Sequence, residues 1–238
     1  TYFQRKIRGE MKIFGLLKLI IIAVTSLISI ISIIIFIAHF KIIKRFLNKE
    51  SKKGRIIILH GVSACGKSSI AKELSKMWPK PLLIGGLDNL YCNMFPAEFW
   101  DDNLRSMNFD RDKIMTIDYY QDENGDKVAK VKFNELGNKI IYGMHRAIAS
   151  YAFEGTDIVV DYILYEKEWL SNLIISTFGL DVYFISIDAS IDMINKRELA
   201  RGTSPEGHAR SLYKNIHKNL IYDLAIDNTN KTPKDCAV

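Results

Sequence analysis

Gly61-Val-Ser-Ala-Cys-Gly66-Lys67-Ser68 places two glycines five positions apart and closes on a lysine and a hydroxyl. Each residue type in this G-x-x-x-x-G-K-[ST] pattern has a chemical reason to be there. Gly61 and Gly66 let the backbone turn tightly and approach an oxyanion. Val62, Ser63, Ala64 and Cys65 offer successive N–H groups, and the helix that follows adds its N-terminus, so that Gly61–Ser69 faces an anion with donors. Lys67 brings a cation to β- and γ-phosphates, and Ser68 offers a hydroxyl to a magnesium ion. The Cys65 thiol is read as filling a loop position rather than doing redox chemistry.

Two acids and three arginines could complete a phosphoryl-transfer site. Asp88 follows the apolar run Pro81–Gly86. At the end of a strand beside the loop's own strand it would face the γ-phosphate and take a proton from an attacking hydroxyl. A helix N-cap is the alternative role. Asp161 lies near the end of Asp157–Leu164 and is expected, with Ser68, on the magnesium side, a surface acid being the alternative. Arg197 and Arg201 share one helical face, and Arg210 follows a Gly/Pro loop. Arginine suits bidentate phosphate contacts, and a helix followed by such a loop suits a mobile lid. The alternative is surface arginines paired with Glu198 and Glu206.

These residues need a frame. Arg55–His60 is a β-branched apolar run, hence a strand buried on both faces. Ser69–Trp78 has helical apolar spacing and is stopped by Pro79 and Pro81. Pro81–Gly86, Asp157–Leu164, Val182–Ile187 and Tyr222–Ile226 read as further strands, and Ile191–Arg201 as a helix. Ile114–Tyr120 and Val128–Phe133 read as a hairpin around Glu123-Asn-Gly-Asp, with Asn134–Tyr151 as the helix after it. An insertion here, after Asp88, would form an acceptor wall or a simple packing hairpin. The alternation predicts an α/β, P-loop NTPase fold: a parallel sheet of about five strands flanked by helices.

Composition narrows the class. With 48% hydrophobic and 25% charged residues, a disordered or collagen-like chain is excluded. The net charge of +6 is uneven: residues 1–53 hold 11 Lys/Arg against 2 Asp/Glu, and residues 54–238 hold 22 against 25. The larger part is therefore mildly acidic, which argues against a nucleic-acid partner. Three unevenly spaced cysteines give neither a disulfide framework nor a zinc site.

Leu19–Ala38 carries no charged residue. A run of this length predicts one transmembrane helix over 19–40. The basic flank at 41–54 is denser than that of the tail at 1–18, which predicts a single-pass protein with residues 41–238 in the cytoplasm. Tyr2-Phe3-Gln4 reads as a tag-cleavage remnant, with Met11 as the native start.

Over most of residues 55–236 the chain resembles the chloramphenicol phosphotransferase family. The resemblance rests on RIIILHGVSACGKSSIAKEL, LLIGGLDNL, NFD…NGDKVAKV, DIVVDYIL, KRELARGTSPEGHAR and YDLAIDNTNKTP. It implies an ATP- and Mg2+-dependent kinase that moves the γ-phosphoryl group to a hydroxyl of a small molecule. Asp88 would then be the base for the acceptor, and Arg197, Arg201 and Arg210 would lie near the phosphates. The chain has Asp161-Tyr162 where the family commonly has two adjacent acids. Two other readings use the same elements: a nucleotide, nucleoside or activated-sugar kinase, and a nucleotide-dependent interaction protein. The sequence leaves the oligomeric state open.

Overall fold

A computed structural model of the chain describes residues 24–40, 52–90, 92–95 and 114–238. The chain divides into two units, Thr1–Glu50 and Ser51–Val238. In the first unit the described residues form one helix, α1 (24–40). Its Ser29 hydroxyl donates to Thr25 O at 3.0 Å, which satisfies the side chain within the helix. Among the described residues no helix is long and apolar enough to cross a membrane. The transmembrane helix at 19–40, the membrane partner and the single-pass location with a cytoplasmic remainder are corrected on this finding. Hydropathy counted the whole apolar run from 19, of which residues 19–23 lie outside the described residues. Most of the expected tail and basic linker lies outside the described residues.

The second unit is built on a parallel sheet in the order β2-β5-β1-β6-β7. Its strands are β1 (Arg55–His60), β2 (Leu82–Gly86), β5 (Asp157–Tyr162), β6 (Asp181–Asp188) and β7 (Leu224–Asp227). The side chains of β1 alternate between two cores, as the pleat requires. Ile57 and Leu59 join one core with Ile70, Ala71 and Ile216. Ile56 and Ile58 join the other with Ile141, Met144, Ile148 and Trp169. Burial on both faces explains the unbroken apolar run of β1.

Helices cover both faces: α2 (Lys67–Met77), α4 (Glu135–Phe153), α5 (Lys167–Ser176) and α6 (Ile191–Arg201). Shorter ones are α3 (Leu87–Leu90), α7 (His208–Tyr213) and α8 (Pro233–Ala237). The antiparallel hairpin of β3 (Met115–Gln121) and β4 (Lys127–Phe133) stands apart from the main sheet, with Met115 opposite Phe133 and Ile117 opposite Val131. Two expectations shift. Helix α5 was not anticipated, because only Trp169 and Leu173 of its residues are buried. Strand β2 does not lie beside β1; β5 lies between them. The rest of the expected insertion, 96–113, lies outside the described residues.

Candidate active site

The register of the sheet brings the site together. Leu59 pairs with Asp161 and with Ile185, and Gly86 pairs with Asp161. The ends of β1, β2 and β5 therefore reach one edge, where the 61–66 loop, Asp161 and Asp88 emerge. Ligands of open α/β sheets bind at such an edge.

The loop turns through two left-handed residues, Ala64 at φ 59° and Gly66 at φ 107°. At Gly66 a Cβ would lie 2.2 Å from Asn228 Nδ2, so glycine is required for space as well as conformation. Among the described residues, no N–H group from Val62 to Gly66 donates to a backbone carbonyl. Helix α2 has no side-chain cap on its first turn. The donor set thus fits a phosphate chain.

Lys67 is buried; its Nζ donates to Val62 O at 2.7 Å and lies 3.3 Å from Asp161 Oδ1. Burial disfavours the ammonium, yet the charge of the neighbouring Asp161 carboxylate, the Cys65 sulfur and the hydrogen bond to Asp161 together hold the lysine above its ordinary pKa. Ser68 Oγ donates a short hydrogen bond to Asp161 Oδ2. A hydroxyl and a half-buried carboxylate in contact, with no further carboxylate needed, suit a magnesium ion that keeps several waters. The Cys65 thiol is fully buried, and burial pushes its pKa up, so it is no nucleophile.

The arginines divide. Arg197 Nη1 donates to Cys65 O at 3.3 Å and its Nη2 to Asn228 O at 3.0 Å. Arg201 Nη2 donates to Ser63 Oγ at 3.1 Å and to Ser204 Oγ at 2.7 Å. Both line a cavity of about 730 Å³ with Ser63, Lys67, Asp88 and Asp161. Arg210 does not join them: its Nη1 donates to Lys127 O at 3.2 Å and lies 3.3 Å from Asp126. Neither Glu198 nor Glu206 pairs with these arginines. Glu198 is buried against backbone N–H groups, and Glu206 pairs with Lys127 at 3.0 Å. Asp88 lies in the first turn of α3, exposed and facing the cavity, rather than at its N-cap.

Sequence reasoning missed three residues around this cavity. Asn228 is 2% exposed and its Nδ2 donates to Cys65 O at 2.7 Å, bracing the loop from behind. His208 and Tyr165 stack at an interplanar angle of 8° with Nε2 and Oη 2.8 Å apart. Burial, then the charges of Lys67 and Arg201, push the His208 pKa down to about 4, so the imidazole is neutral. The only sequence signal for these residues was position: Asn228 follows a strand-ending acid, and Tyr165 follows β5. The opposite wall of the cavity is apolar: Met115, Ile117, Val131 and Phe133, one face of the hairpin.

The model of the chloramphenicol phosphotransferase-like protein family matches residues 54–238. Proteins from two strains of Mycobacterium tuberculosis, each named "Putative O-phosphotransferase", are 25% identical over 177 residues, covering 74% of this chain and 76% of theirs. The fold is shared with the APS kinase CysC of Mycobacterium tuberculosis, solved with AMPPNP and APS. That match has a TM-score of 0.53 and 13% identity and covers 78% of this chain and 94% of the kinase. Because the family model covers residues 54–238, phosphate loop included, the chain belongs to the chloramphenicol phosphotransferase-like family and is an ATP-dependent kinase acting on hydroxyl groups.

Proposed function

We propose that the chain transfers the γ-phosphoryl group of ATP to a hydroxyl of a small molecule seated in this cavity. What supports the reading is a single cavity lined by the loop, two arginines, two carboxylates and an apolar hairpin face. The loop N–H groups and Lys67 hold the phosphates, and Arg197 and Arg201 supply positive charge where oxygen charge develops. Ser68 Oγ and Asp161 would hold a magnesium ion, whose charge neutralises the β- and γ-phosphate oxygens. Asp88 receives the acceptor's proton as its oxygen bonds to phosphorus, and ADP leaves. The hairpin face favours an acceptor with an apolar part, and the name of the mycobacterial relatives agrees with a hydroxyl acceptor.

The test is mass spectrometry of the ATP-dependent products formed from a panel of small alcohols that includes chloramphenicol. Lys67→Ala and Asp88→Asn should each lower turnover on the order of 10²–10³-fold. Full turnover in Asp88→Asn would remove that residue from its role. The absence of any phosphorylated alcohol with the parent chain would overturn this acceptor reading and favour a nucleotide, nucleoside or activated-sugar acceptor.

A further inference from the structure

Glu198 and Arg210 have no part in the chemistry above, yet their contacts are specific. Glu198 is 3% exposed and points inward from α6, one position beyond Arg197. Its Oε2 accepts the Gly207 N–H at 2.8 Å and its Oε1 accepts the Ala209 N–H at 2.9 Å. One carboxylate therefore fixes the backbone on both sides of His208, which lines the cavity. Loss of either acceptor site would leave a buried N–H unpaired.

The same segment grips the hairpin. Gly207 sits at φ +84°, and a Cβ there would lie 2.1 Å from Lys127 O. Its carbonyl accepts the Ala129 N–H at 3.3 Å. Arg210 Nη1 donates to Lys127 O and reaches Asp126 in the hairpin turn. Lys127–Glu206 and Lys214–Glu123 add exposed pairs, which are worth little individually. A continuous bonded route thus runs from Ser63 through Arg201, α6, Glu198, Gly207 and Arg210 into β4, whose Val131 and Phe133 form the apolar wall.

We propose that Glu198 and Arg210 are positioning residues that fasten the acceptor wall to the arginine-bearing helix, so that nucleotide uptake at Gly61–Ser69 also orders the acceptor side. This rests on the function proposed above. Coupling between two such sites is read as a measured link between them.

Hydrogen exchange on the full chain, with and without magnesium and AMPPNP, supplies that measurement. In the parent chain the nucleotide should slow exchange at 61–69 and also at 115–133. Arg210→Met should keep the slowing at 61–69 and lose most of it at 115–133. Arg210→Lys, which retains a cation against Asp126, should recover it, a rescue that a general packing defect would not show. Glu198→Gln, which leaves one N–H without an acceptor, should act in the direction of Arg210→Met. If Arg210→Met does not fold, Asp126→Asn at the exposed turn reads the same contact. A hairpin slowed equally in Arg210→Met or Asp126→Asn overturns the proposal, as does a parent chain whose hairpin ignores a nucleotide that protects 61–69. No slowing at 61–69 in the parent chain would instead remove the nucleotide reading, and the proposal with it.

Discussion

Lys67 is a cation that burial opposes and one carboxylate sustains. Its raised pKa means that the charge contributes to folding below the ordinary lysine value and is lost as pH rises through the raised one. Replacing Asp161 with Asn removes the main supporting charge, so burial takes over and the Lys67 pKa falls. Nucleotide uptake in Asp161→Asn, followed by calorimetry against pH, should therefore fail at a lower alkaline pH than in the parent chain. Asp157 shows the opposite sign. Burial works against its carboxylate, but the Arg55 N–H at 2.8 Å, Trp78 Nε1 at 2.8 Å and the side chains of Arg55 and Lys80 hold it well below the ordinary range. Its contribution is present above about pH 4 and lost as pH falls further. Asp157→Asn should cost about 2 kcal/mol at neutral pH, measured by urea unfolding, and the deficit should shrink on acidification. Residue chemistry that depends on local spacing, as in Gly61–Ser68, was legible in the sequence. The partners of Arg210 and Glu198 were not, because they come from a hairpin some eighty residues earlier and from a backbone turn whose N–H groups no composition reveals.

At the scale of elements, strands with continuous β-branched runs read true because both faces are buried. Helix α5 escaped because its exposed Ile174 and Ile175 blur its amphipathic pattern. The short C-terminal helix α8 has its own device. Thr232 accepts the Asp235 N–H while Asp235 accepts the Thr232 N–H, a reciprocal cap with Pro233 at the first turn. Cys236 of α8 is buried and lies 3.8 Å from Asn228 Oδ1, so this helix backs the residue that braces the phosphate loop. Thr232→Ala should cost about 1 kcal/mol of stability. Thermal unfolding checks that cost, and nucleotide affinity should weaken with it if α8 steadies Asn228.

At the scale of the whole molecule, the division into two units agrees with the uneven charge along the chain. What the sequence misjudged was the first unit, where an apolar run was taken as a full bilayer span. In the second unit the sheet order puts the loop strand at the centre, so a ligand on its edge touches structure contributed by residues from 63 to 233. Binding there should stabilise the native unit by mass action: magnesium and ATP at about 100 times Kd add ~2.7 kcal/mol. A rise in Tm that Lys67→Met abolishes is the expected result.

The state of the three thiols gives the experimenter an opening. Cys65 and Cys236 are enclosed, Cys92 is half-buried, and all three thiols are held above their ordinary pKa, Cys92 at about 11. Maleimides react with the ionised form, so the native chain should be nearly silent toward them at neutral pH. A single cysteine installed at Asn124, on the hairpin tip, would then carry a fluorophore without prior removal of native sulfur, and the tip's motion could be watched in real time.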